Sequence, residues 1–291
     1  SIELIVCGSC APTLGTYMEW DREVLEYTWN NVDYVSLHRY VGNPKNDTAS
    51  YLGVTNAIDR QIEEMDAVCR YVQAKRKSDK RVYSCFDEWN VWYKNRDGDG
   101  RGKFAPHLIE EVYNLEDALV VAGFLQSFVR HADSVKIANL AQIVNVIAPI
   151  LTRGDEMLIQ PTFYPFEMMS KRRYGTALQT SVTGPSYVSE EYGTVQTIDA
   201  SAILDRNRLH VFATNRSLTE DATVVIDLAD GTIDSVIDGE VLTGSDPKAV
   251  NTYEAPEQVT AVKYEGVETK DGNAVMVLPA LSFAAVTLGI K

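Results

Sequence analysis

Short apolar runs alternate with amphipathic stretches over the first 181 residues. Strands that are joined through helices pair in parallel, with right-handed crossovers. An eight-stranded barrel of that kind takes about 250 residues, so this segment is predicted to form either a small open sheet or half of a barrel. The runs that predict its strands are Ile2–Cys7, Tyr34–Tyr40, Arg81–Phe86 and Ser134–Leu140.

Two amphipathic helices are predicted between these strands. Apolar side chains recur at three- and four-residue spacing from Ile58 to Val72, which indicates a helix that packs with one face. A second helix is predicted to begin after Asn114, a favourable N-cap residue with Asp117 three positions later. This second helix carries Leu115, Ala118, Ala122, Leu125 and Val129 on one side.

From residue 182 onwards, short β-rich runs are separated by turns that contain Asp, Gly and Pro. Such a pattern is typical of an antiparallel β-sandwich. We therefore predict an α/β domain over residues 1–181, followed by an all-β domain over residues 182–291. The β-rich runs are Leu209–Ala213, Thr223–Asp227, Val259–Val262, Ala274–Leu278 and Phe283–Leu288.

Charge and composition restrict the partners of the chain. Lys and Arg number 27 against 41 Asp and Glu, a net charge of −14 at pH 7, so neither nucleic acid nor an anionic membrane surface is expected. The hydrophobic content of 45% is that of a globular protein. No apolar run in the sequence has the roughly 18 residues that a bilayer crossing needs.

The four cysteines are Cys7, Cys10, Cys69 and Cys85, too few to hold a chain of this length together through disulfides. Cys7 and Cys10 form one C-x-x-C pair, but no second pair or histidine cluster completes a zinc site. We expect buried thiols, with no metal and no cofactor. This cysteine usage suits a reducing compartment, so a cytoplasmic location is predicted.

Candidate chemistry is concentrated at the end of the third predicted strand. The run Phe86–Tyr93 contains Asp87, Glu88 and two tryptophans at the carboxyl end of a parallel strand, where α/β barrels place their catalytic residues. A carboxylate beside aromatic faces suits the cleavage of a glycosidic bond. The alternative is a strand that ends in a solvated acid beside two core tryptophans. Because adjacent strand residues face opposite sides, we expect only one of the two acids to enter the barrel.

The second predicted strand adds polar groups at the same edge. Ser36, His38 and Tyr40 share one face of this strand, while Val35 and Leu37 share the other. His38 and Tyr40 are therefore predicted to project at its carboxyl end, where each can bond a carboxylate or a sugar hydroxyl. A histidine satisfied within the core is the alternative.

Three further candidates lie in loops. Gln142 offers an amide just past the fourth predicted strand. The run Asn95–Gly100 resembles the opening of a calcium loop, but Pro106 stands at position 12, where a bidentate Glu is needed, so we interpret it as an acidic loop. His107 in the same loop is expected to be a solvated histidine, and the alternative is a residue that approaches substrate.

Three segments together resemble a known family. Asp33–Asn43, Phe86–Tyr93 and Ala138–Asn145 are strongly similar, in order and spacing, to the α-L-arabinofuranosidases of glycoside hydrolase family 51. The resemblance implies a (β/α)8 barrel followed by a β-sandwich, and release of terminal arabinofuranosyl units with retention of configuration. The chain would then supply barrel strands five to eight and the sandwich.

The resemblance also implies roles for particular residues. Glu88 matches the nucleophile at the end of the seventh strand. His38 and Tyr40 match the sixth-strand pair beside the nucleophile and the sugar. Gln142 matches a sugar-binding amide after the eighth strand, and Trp92 matches a residue that lines the pocket. Asp87 is then the acid expected to turn away from the barrel, towards the backbone or the helices.

One expected element is absent from the sequence. The family places its general acid/base in an Asn-Glu pair at the end of the fourth strand, and the 291 residues contain no Asn-Glu dipeptide. A retaining mechanism needs two carboxyl groups about 5 Å apart. We therefore expect a complementary amino-terminal polypeptide to complete the barrel, and the chain alone to be inactive.

Three functions follow as hypotheses. The first is an exo-acting arabinofuranosidase on arabinan, arabinoxylan or their oligosaccharides. The second keeps the retaining barrel but acts on a glucan or xylan backbone. The third is a non-catalytic fragment that binds carbohydrate or assists assembly. Linkage preference and the presence of a homo-oligomer stay open.

Overall fold

The computed structural model describes residues 2–94, 104 and 109–291. Its helices are α1 Glu19–Thr28, α2 Thr48–Leu52, α3 Thr55–Arg76, α4 Leu115–Arg130 and α5 Phe163–Ser170. Its strands are β1 Ile5–Val6, β2 Tyr34–Val41, β3 Tyr83–Val91, β4 Val135–Leu140, β5 Ile150–Arg153, β6 Glu156–Ile159, β7 Thr176–Leu178, β8 Ser186–Ser189, β9 Gly193–Gln196, β10 Ile198–Asp205, β11 Arg208–Asn215, β12 Ala222–Ile226, β13 Ile233–Thr243, β14 Ala261–Lys263, β15 Val267–Lys270, β16 Asn273–Leu278 and β17 Ser282–Ile290.

The first four strands form one parallel sheet in the order β1-β2-β3-β4, as the sequence predicts. The first strand is shorter than predicted, because only Ile5 and Val6 pair with β2. Strand β1 has a single neighbour among the described residues, and Ile2, Leu4 and Ile5 are exposed. An apolar strand of a parallel sheet is normally extended and covered by a second neighbour, and the described residues provide none for β1.

The two predicted helices are present, and α4 is buried on more than one side. Helix α3 buries the predicted positions from Ile58 to Val72, and Asn114 caps α4 in a capping box with Asp117. Burial in α4 extends beyond the side that carries the apolar residues singled out from the sequence, since most residues of the helix are buried. One side contacts the parallel sheet through Phe124, and the other reaches the sandwich, where Gln126 bonds to Thr214 on β11 at 2.7 Å.

The carboxyl-terminal strands form an antiparallel sandwich. A six-stranded sheet runs in the order β14-β13-β17-β11-β10-β7, and a three-stranded sheet in the order β12-β16-β15. Phe212 and Phe283 of the larger sheet belong to the core that contains α4, while Val211 and Val286 belong to the core shared with the smaller sheet. Because the larger sheet is covered on both faces, β11 and β17 are buried along nearly their whole length.

The larger sheet also includes a strand from before residue 182. Strand β7 pairs with β10 through Ala177 and Ile203, so pairing in the sandwich starts ahead of the predicted boundary. The division of the chain into residues 1–181 and 182–291 stays a prediction. No helix in the described ranges is both long enough and apolar enough to cross a membrane.

A partly buried charge network joins the α/β part to the sandwich. Arg130 on α4 lies 2.9 Å from Asp59 on α3 and 2.7 Å from Asp199 on β10. Asp199 also accepts a hydrogen bond from Arg216 at 2.5 Å, and Arg216 donates to Thr55 at the start of α3. Asp199 thus holds two arginines that reach across the interface, which positions the parallel sheet against the sandwich.

Candidate functional site

Strands β2 and β3 bring the predicted residues together with an irregular register. Ser36 lies opposite Cys85, and His38 lies opposite Glu88. Two residues of β3, Phe86 and Asp87, therefore stand where β2 has one. An extra residue of this kind is a β-bulge, which redirects the side chains that follow it.

Glu88 is held by both polar residues of β2 that the sequence singles out. The Tyr40 hydroxyl donates to Glu88 Oε1 at 2.8 Å, and His38 Nδ1 lies 2.9 Å from Glu88 Oε2. Each carboxylate oxygen thus has one partner. The carboxylate stays 42% exposed, so it is anchored and still open to a ligand.

Asp87 lies on the same side as Glu88, so the expectation that it turns away is wrong. Its Oδ1 atom accepts a hydrogen bond from Ser36 Oγ at 2.7 Å and lies 3.2 Å from His38 Nε2. The bulge is the physical reason, because it breaks the alternation that would have sent adjacent residues to opposite faces. His38 therefore stands between two carboxylates.

Tyr40 and Trp92 form the aromatic wall beside Glu88. Their ring centroids are 5.3 Å apart at an interplanar angle of 74°, an edge-to-face arrangement. Burial, followed by the hydrogen bond to Glu88, raises the pKa of Tyr40 well above its usual value. The Tyr40 hydroxyl therefore remains a donor to the carboxylate at neutral pH.

The other tryptophan of the motif belongs to the core. Trp89 is fully buried and stacks on Phe166, with ring centroids 5.6 Å apart. The core alternative therefore applies to Trp89 and not to Trp92, which lines a cleft. Neighbouring Asn90 donates to the carbonyl oxygens of Ala141 and Ile147 at 2.6 and 2.5 Å, which ties β3 to the segment after β4.

Gln142 lies at the same edge of the sheet but is not joined to Glu88. The backbone amide of Ala141 donates to Trp89 at 3.1 Å, so the segment after β4 lies against β3. The Gln142 side chain is exposed and makes no hydrogen bond with the described residues. Its sugar-binding role is a proposal that the resemblance alone supports.

The prediction that the cysteine thiols are buried is confirmed for two of the four cysteines and wrong for the other two. Cys69 and Cys85 are buried, and burial raises the pKa of both thiols to about 12. Cys7 and Cys10 are exposed, because β1 is an uncovered edge. Within the described ranges, no three His, Cys, Asp or Glu side chains are grouped to hold a metal ion. The predicted loop features at Asn95–Gly100, Pro106 and His107 lie outside the described residues.

Sequence reasoning missed a cleft beside the aromatic wall. Its volume is about 620 Å³, and it lies between the loops after β1 and β2 and the tip of the β8–β9 hairpin. Tyr40 and Trp92 line one side, and Glu191 and Tyr192 line another. The hairpin is distant in sequence from both strands, so no local pattern links it to them.

A four-stranded parallel sheet followed by an antiparallel sandwich is the arrangement that this chain shares with the solved structure of a family 51 alpha-L-arabinofuranosidase. The family model for the alpha-L-arabinofuranosidase C-terminal domain matches residues 87–282, and the chain belongs to this family.

Curated relatives and solved structures agree with this assignment. The chain is 36% identical to an intracellular exo-alpha-(1->5)-L-arabinofuranosidase of Acetivibrio thermocellus and 37% identical to one of Halalkalibacterium halodurans. The alignments cover 99% and 100% of the chain. A family 51 alpha-L-arabinofuranosidase from Bifidobacterium longum, AbfB, superposes with a TM-score of 0.90 at 28% identity, over 99% of this chain and 60% of that one. The chain spans 59% of the length of each of the two curated relatives.

Proposed function

We propose that this chain supplies the nucleophile part of a retaining α-L-arabinofuranosidase. The observation that carries the proposal is the Glu88 carboxylate, held at the end of β3 by Tyr40 on one oxygen and His38 on the other. A nucleophilic carboxylate needs a fixed direction and an open approach, and Glu88 has both. The family assignment supports the same reaction class.

The proposed reaction follows the two-step retaining route. A Glu88 oxygen forms a bond to the anomeric carbon while the glycosidic oxygen leaves with a proton from a second carboxyl group. Water then attacks the anomeric carbon, gives a proton to the second carboxyl group, which restores it as an acid, and releases Glu88 as a carboxylate. Tyr40 and His38 hold the carboxylate during attack and stabilise its negative charge when it is released.

The proposed second carboxyl group belongs to a complementary amino-terminal polypeptide. The relatives have additional sequence, since the chain spans 59% of their length. Open edges at β1 and β4 suit strands from such a segment, which would complete the barrel and supply the acid/base. We propose that residues 1–181 form the barrel part and residues 182–291 the sandwich, and that residues 1–291 alone have no turnover.

The proposed substrate is a terminal α-L-arabinofuranosyl unit on arabinan, arabinoxylan or their oligosaccharides. The curated relatives named above are exo-α-(1→5)-L-arabinofuranosidases described as intracellular, which supports this substrate class and an intracellular location. Trp92 offers an apolar face to the sugar ring, and the exposed Gln142 offers an amide to its hydroxyls.

The test is hydrolysis of 4-nitrophenyl α-L-arabinofuranoside by residues 1–291 combined with the amino-terminal segment. We expect turnover from the combination and none from either part alone. Matched 4-nitrophenyl β-glucoside and β-xyloside serve as controls for the glucan and xylan hypothesis. Sugar binding without turnover in the combination would instead support a non-catalytic carbohydrate-binding fragment.

A further inference from the structure

Asn90 is a buried amide in which both polar atoms of the side chain have partners. Its nitrogen donates to the carbonyl oxygens of Ala141 and Ile147 at 2.6 and 2.5 Å, and its oxygen accepts from the backbone amide of Val91 at 2.8 Å. The residue is 1% exposed. Because a buried amide without partners is costly, these three bonds fix its side chain in one orientation. Asn90 therefore connects β3 to two points of the segment after β4.

The segment that Asn90 holds, residues 141–147, has an irregular backbone. Asn145 and Ile147 both have left-handed conformations, with φ of 63° and 41°. A β-branched residue rarely adopts such a conformation, which persists only where the surrounding contacts impose it. The bond from Asn90 to the Ile147 carbonyl oxygen is one of these contacts, and the bond from the Ile147 amide to the Ile109 carbonyl oxygen at 3.1 Å is another. The shape of the segment is therefore set by residues outside it.

The segment carries Gln142 at the edge of the sheet where Glu88 lies. Leu140, the last residue of β4, pairs with Trp89, and the amide of Ala141 donates to the Trp89 carbonyl oxygen at 3.1 Å. Gln142 therefore follows directly after a backbone bond to the chain neighbour of Glu88. The Gln142 side chain is exposed and makes no hydrogen bond with the described residues, so its backbone alone decides where the amide is placed.

Of the two carbonyl groups that Asn90 bonds, that of Ala141 is joined directly to Gln142. The Ala141 carbonyl group and the Gln142 nitrogen belong to one peptide group, which is planar. The bond from Asn90 to this oxygen therefore fixes the plane from which Gln142 starts. Without that bond the plane could rotate with the dihedral angles on either side, and the Gln142 side chain would move with it.

We propose that Asn90 is a positioning residue, which sets the Gln142 amide for a hydroxyl of the arabinofuranosyl unit at Glu88. The proposal rests on the proposed function, because the sugar and the role of Gln142 enter through it. Asn90 itself is buried and does not touch the sugar. It acts by holding the Ala141 peptide, so that the segment has little conformational freedom to lose when the sugar binds.

The test is a double-mutant cycle in the combined enzyme of residues 1–291 and the amino-terminal segment. Asn90→Ala and Gln142→Ala should each lower kcat/KM for 4-nitrophenyl α-L-arabinofuranoside roughly tenfold, as for the loss of one hydrogen bond to the sugar. The double variant should show the same roughly tenfold loss, because Asn90 has nothing left to position once the Gln142 amide is gone. A purely structural role would instead give additive losses, roughly hundredfold together.

Asn251, between β13 and β14, offers a matched control. It is also 1% exposed, donates to the carbonyl oxygens of Ile159 and Val259 at 3.0 and 2.9 Å, and accepts from the Val259 amide at 2.8 Å. Asn251→Ala should therefore lower the urea midpoint of residues 1–291 about as much as Asn90→Ala does, and leave kcat/KM unchanged. An equal loss of kcat/KM in the two variants would overturn the proposal.

Asn90→Ser is a milder variant, because its hydroxyl keeps one donor in the same place. It should lose less kcat/KM than Asn90→Ala, and its loss should likewise vanish in the Gln142→Ala background. The cycle can therefore be completed with either substitution at position 90. A loss in Asn90→Ser that adds to that of Gln142→Ala would contradict the proposal.

A binding measurement provides a readout that does not depend on turnover. In the Glu88→Gln form of the combined enzyme, calorimetric titration with arabinose should give a Kd that rises roughly tenfold when Asn90→Ala is added. Adding Gln142→Ala as well should raise the Kd no further. An unchanged Kd in the first step would overturn the positioning role.

The two proposals fail in distinguishable ways. Absence of aryl arabinofuranoside hydrolysis in the unmodified combined enzyme contradicts the proposed function. Normal hydrolysis there, with additive losses in the cycle or with no effect of Asn90→Ala, contradicts the positioning role alone. Normal hydrolysis with no effect of Gln142→Ala also contradicts it, since Asn90 would then have no sugar-binding amide to position.

Discussion

The His38 ring turns its Nε2 atom to Asp87 Oδ1 at 3.2 Å, on the opposite side from the nitrogen that faces Glu88. Ser36 bonds the same Asp87 oxygen at 2.7 Å. Asp87 is therefore a positioning residue, which acts on Glu88 through the orientation of His38. This relationship exists because the bulge in β3 brings both acids to one face.

The first prediction concerns Asp87. In the combined enzyme, Asp87→Ala should lower kcat by roughly ten- to hundredfold, because His38 loses the charged partner that fixes its ring. The KM should change little, since Asp87 is not proposed to touch the sugar. The measurement is steady-state hydrolysis of an aryl arabinofuranoside.

Asp87→Asn is the conservative comparison for this prediction. Its amide oxygen can still accept from Ser36 and His38, so part of the lost kcat should return. An unchanged kcat in Asp87→Ala, or a loss confined to KM, would show that Asp87 does not position His38.

The second prediction identifies the nucleophile. Glu88→Ala should remove nearly all turnover, because the covalent glycosyl intermediate can no longer form. Added azide should occupy the vacated face and give a glycosyl azide of inverted anomeric configuration, detected by NMR of the product. An azide product with retained configuration, or near-normal turnover, would mean that another carboxylate is the nucleophile.

The third prediction concerns the charge network across the interface. Asp199→Ala should lower the free energy of unfolding by about 3–5 kcal/mol, because Arg216 would be left buried without a carboxylate partner, while Arg130 would keep only Asp59. Urea unfolding measures the change. Asp227→Ala, at an exposed position on the sandwich, should leave stability within about 0.5 kcal/mol of the unmodified chain. Equal effects of the two substitutions would contradict the prediction.

The fourth prediction is a pH dependence at Asp117. Complete burial raises the pKa of this carboxyl to about 6, although Lys94 lies 2.6 Å away and acts in the opposite direction. The folded protein therefore binds this proton more tightly than the unfolded chain, whose carboxyl has a pKa near 3.8. The resulting stabilisation is complete below about pH 4 and is lost as the pH rises through about 6.

Asp117→Asn isolates this contribution, because the amide does not titrate. The free energy of unfolding of the unmodified chain, minus that of Asp117→Asn, should fall by on the order of 2–3 kcal/mol between pH 4 and pH 7. Urea unfolding of both proteins at several pH values measures the difference. A difference that stays constant or rises with pH would refute the prediction.

The fifth prediction concerns the open edges of the parallel sheet. Ile2, Leu4 and Ile5 near β1, and Ile143 and Val144 after β4, are exposed apolar residues. Unpaired apolar edges promote association, so residues 1–291 alone should bind a hydrophobic dye and self-associate. Both properties should disappear when the amino-terminal segment is added. A lone chain that stays monomeric, unfolds cooperatively and binds no dye would contradict the prediction that the amino-terminal segment covers these edges.

Local sequence determined the elements, and the family resemblance selected Glu88 over Asp87 as the candidate nucleophile. The apolar periodicity of α3 and the Asn114 cap of α4 are properties of neighbouring residues, so they are readable without a structure. The alternation along β2 likewise placed His38 and Tyr40 on one face. Because parallel strands end at a common edge, the proximity of these two residues to Glu88 followed.

Tertiary structure decided the features that depend on a partner element. The bulge that brings Asp87 to His38 arises from the register between β2 and β3, and register is a relation between two strands that neither sequence contains by itself. The burial of α4 on opposite sides depends on the sandwich. The exposure of Cys7 depends on the uncovered edge of the sheet at β1. The hairpin tip at Glu191 reaches the rim only through contacts between residues far apart in the chain, which no local periodicity encodes.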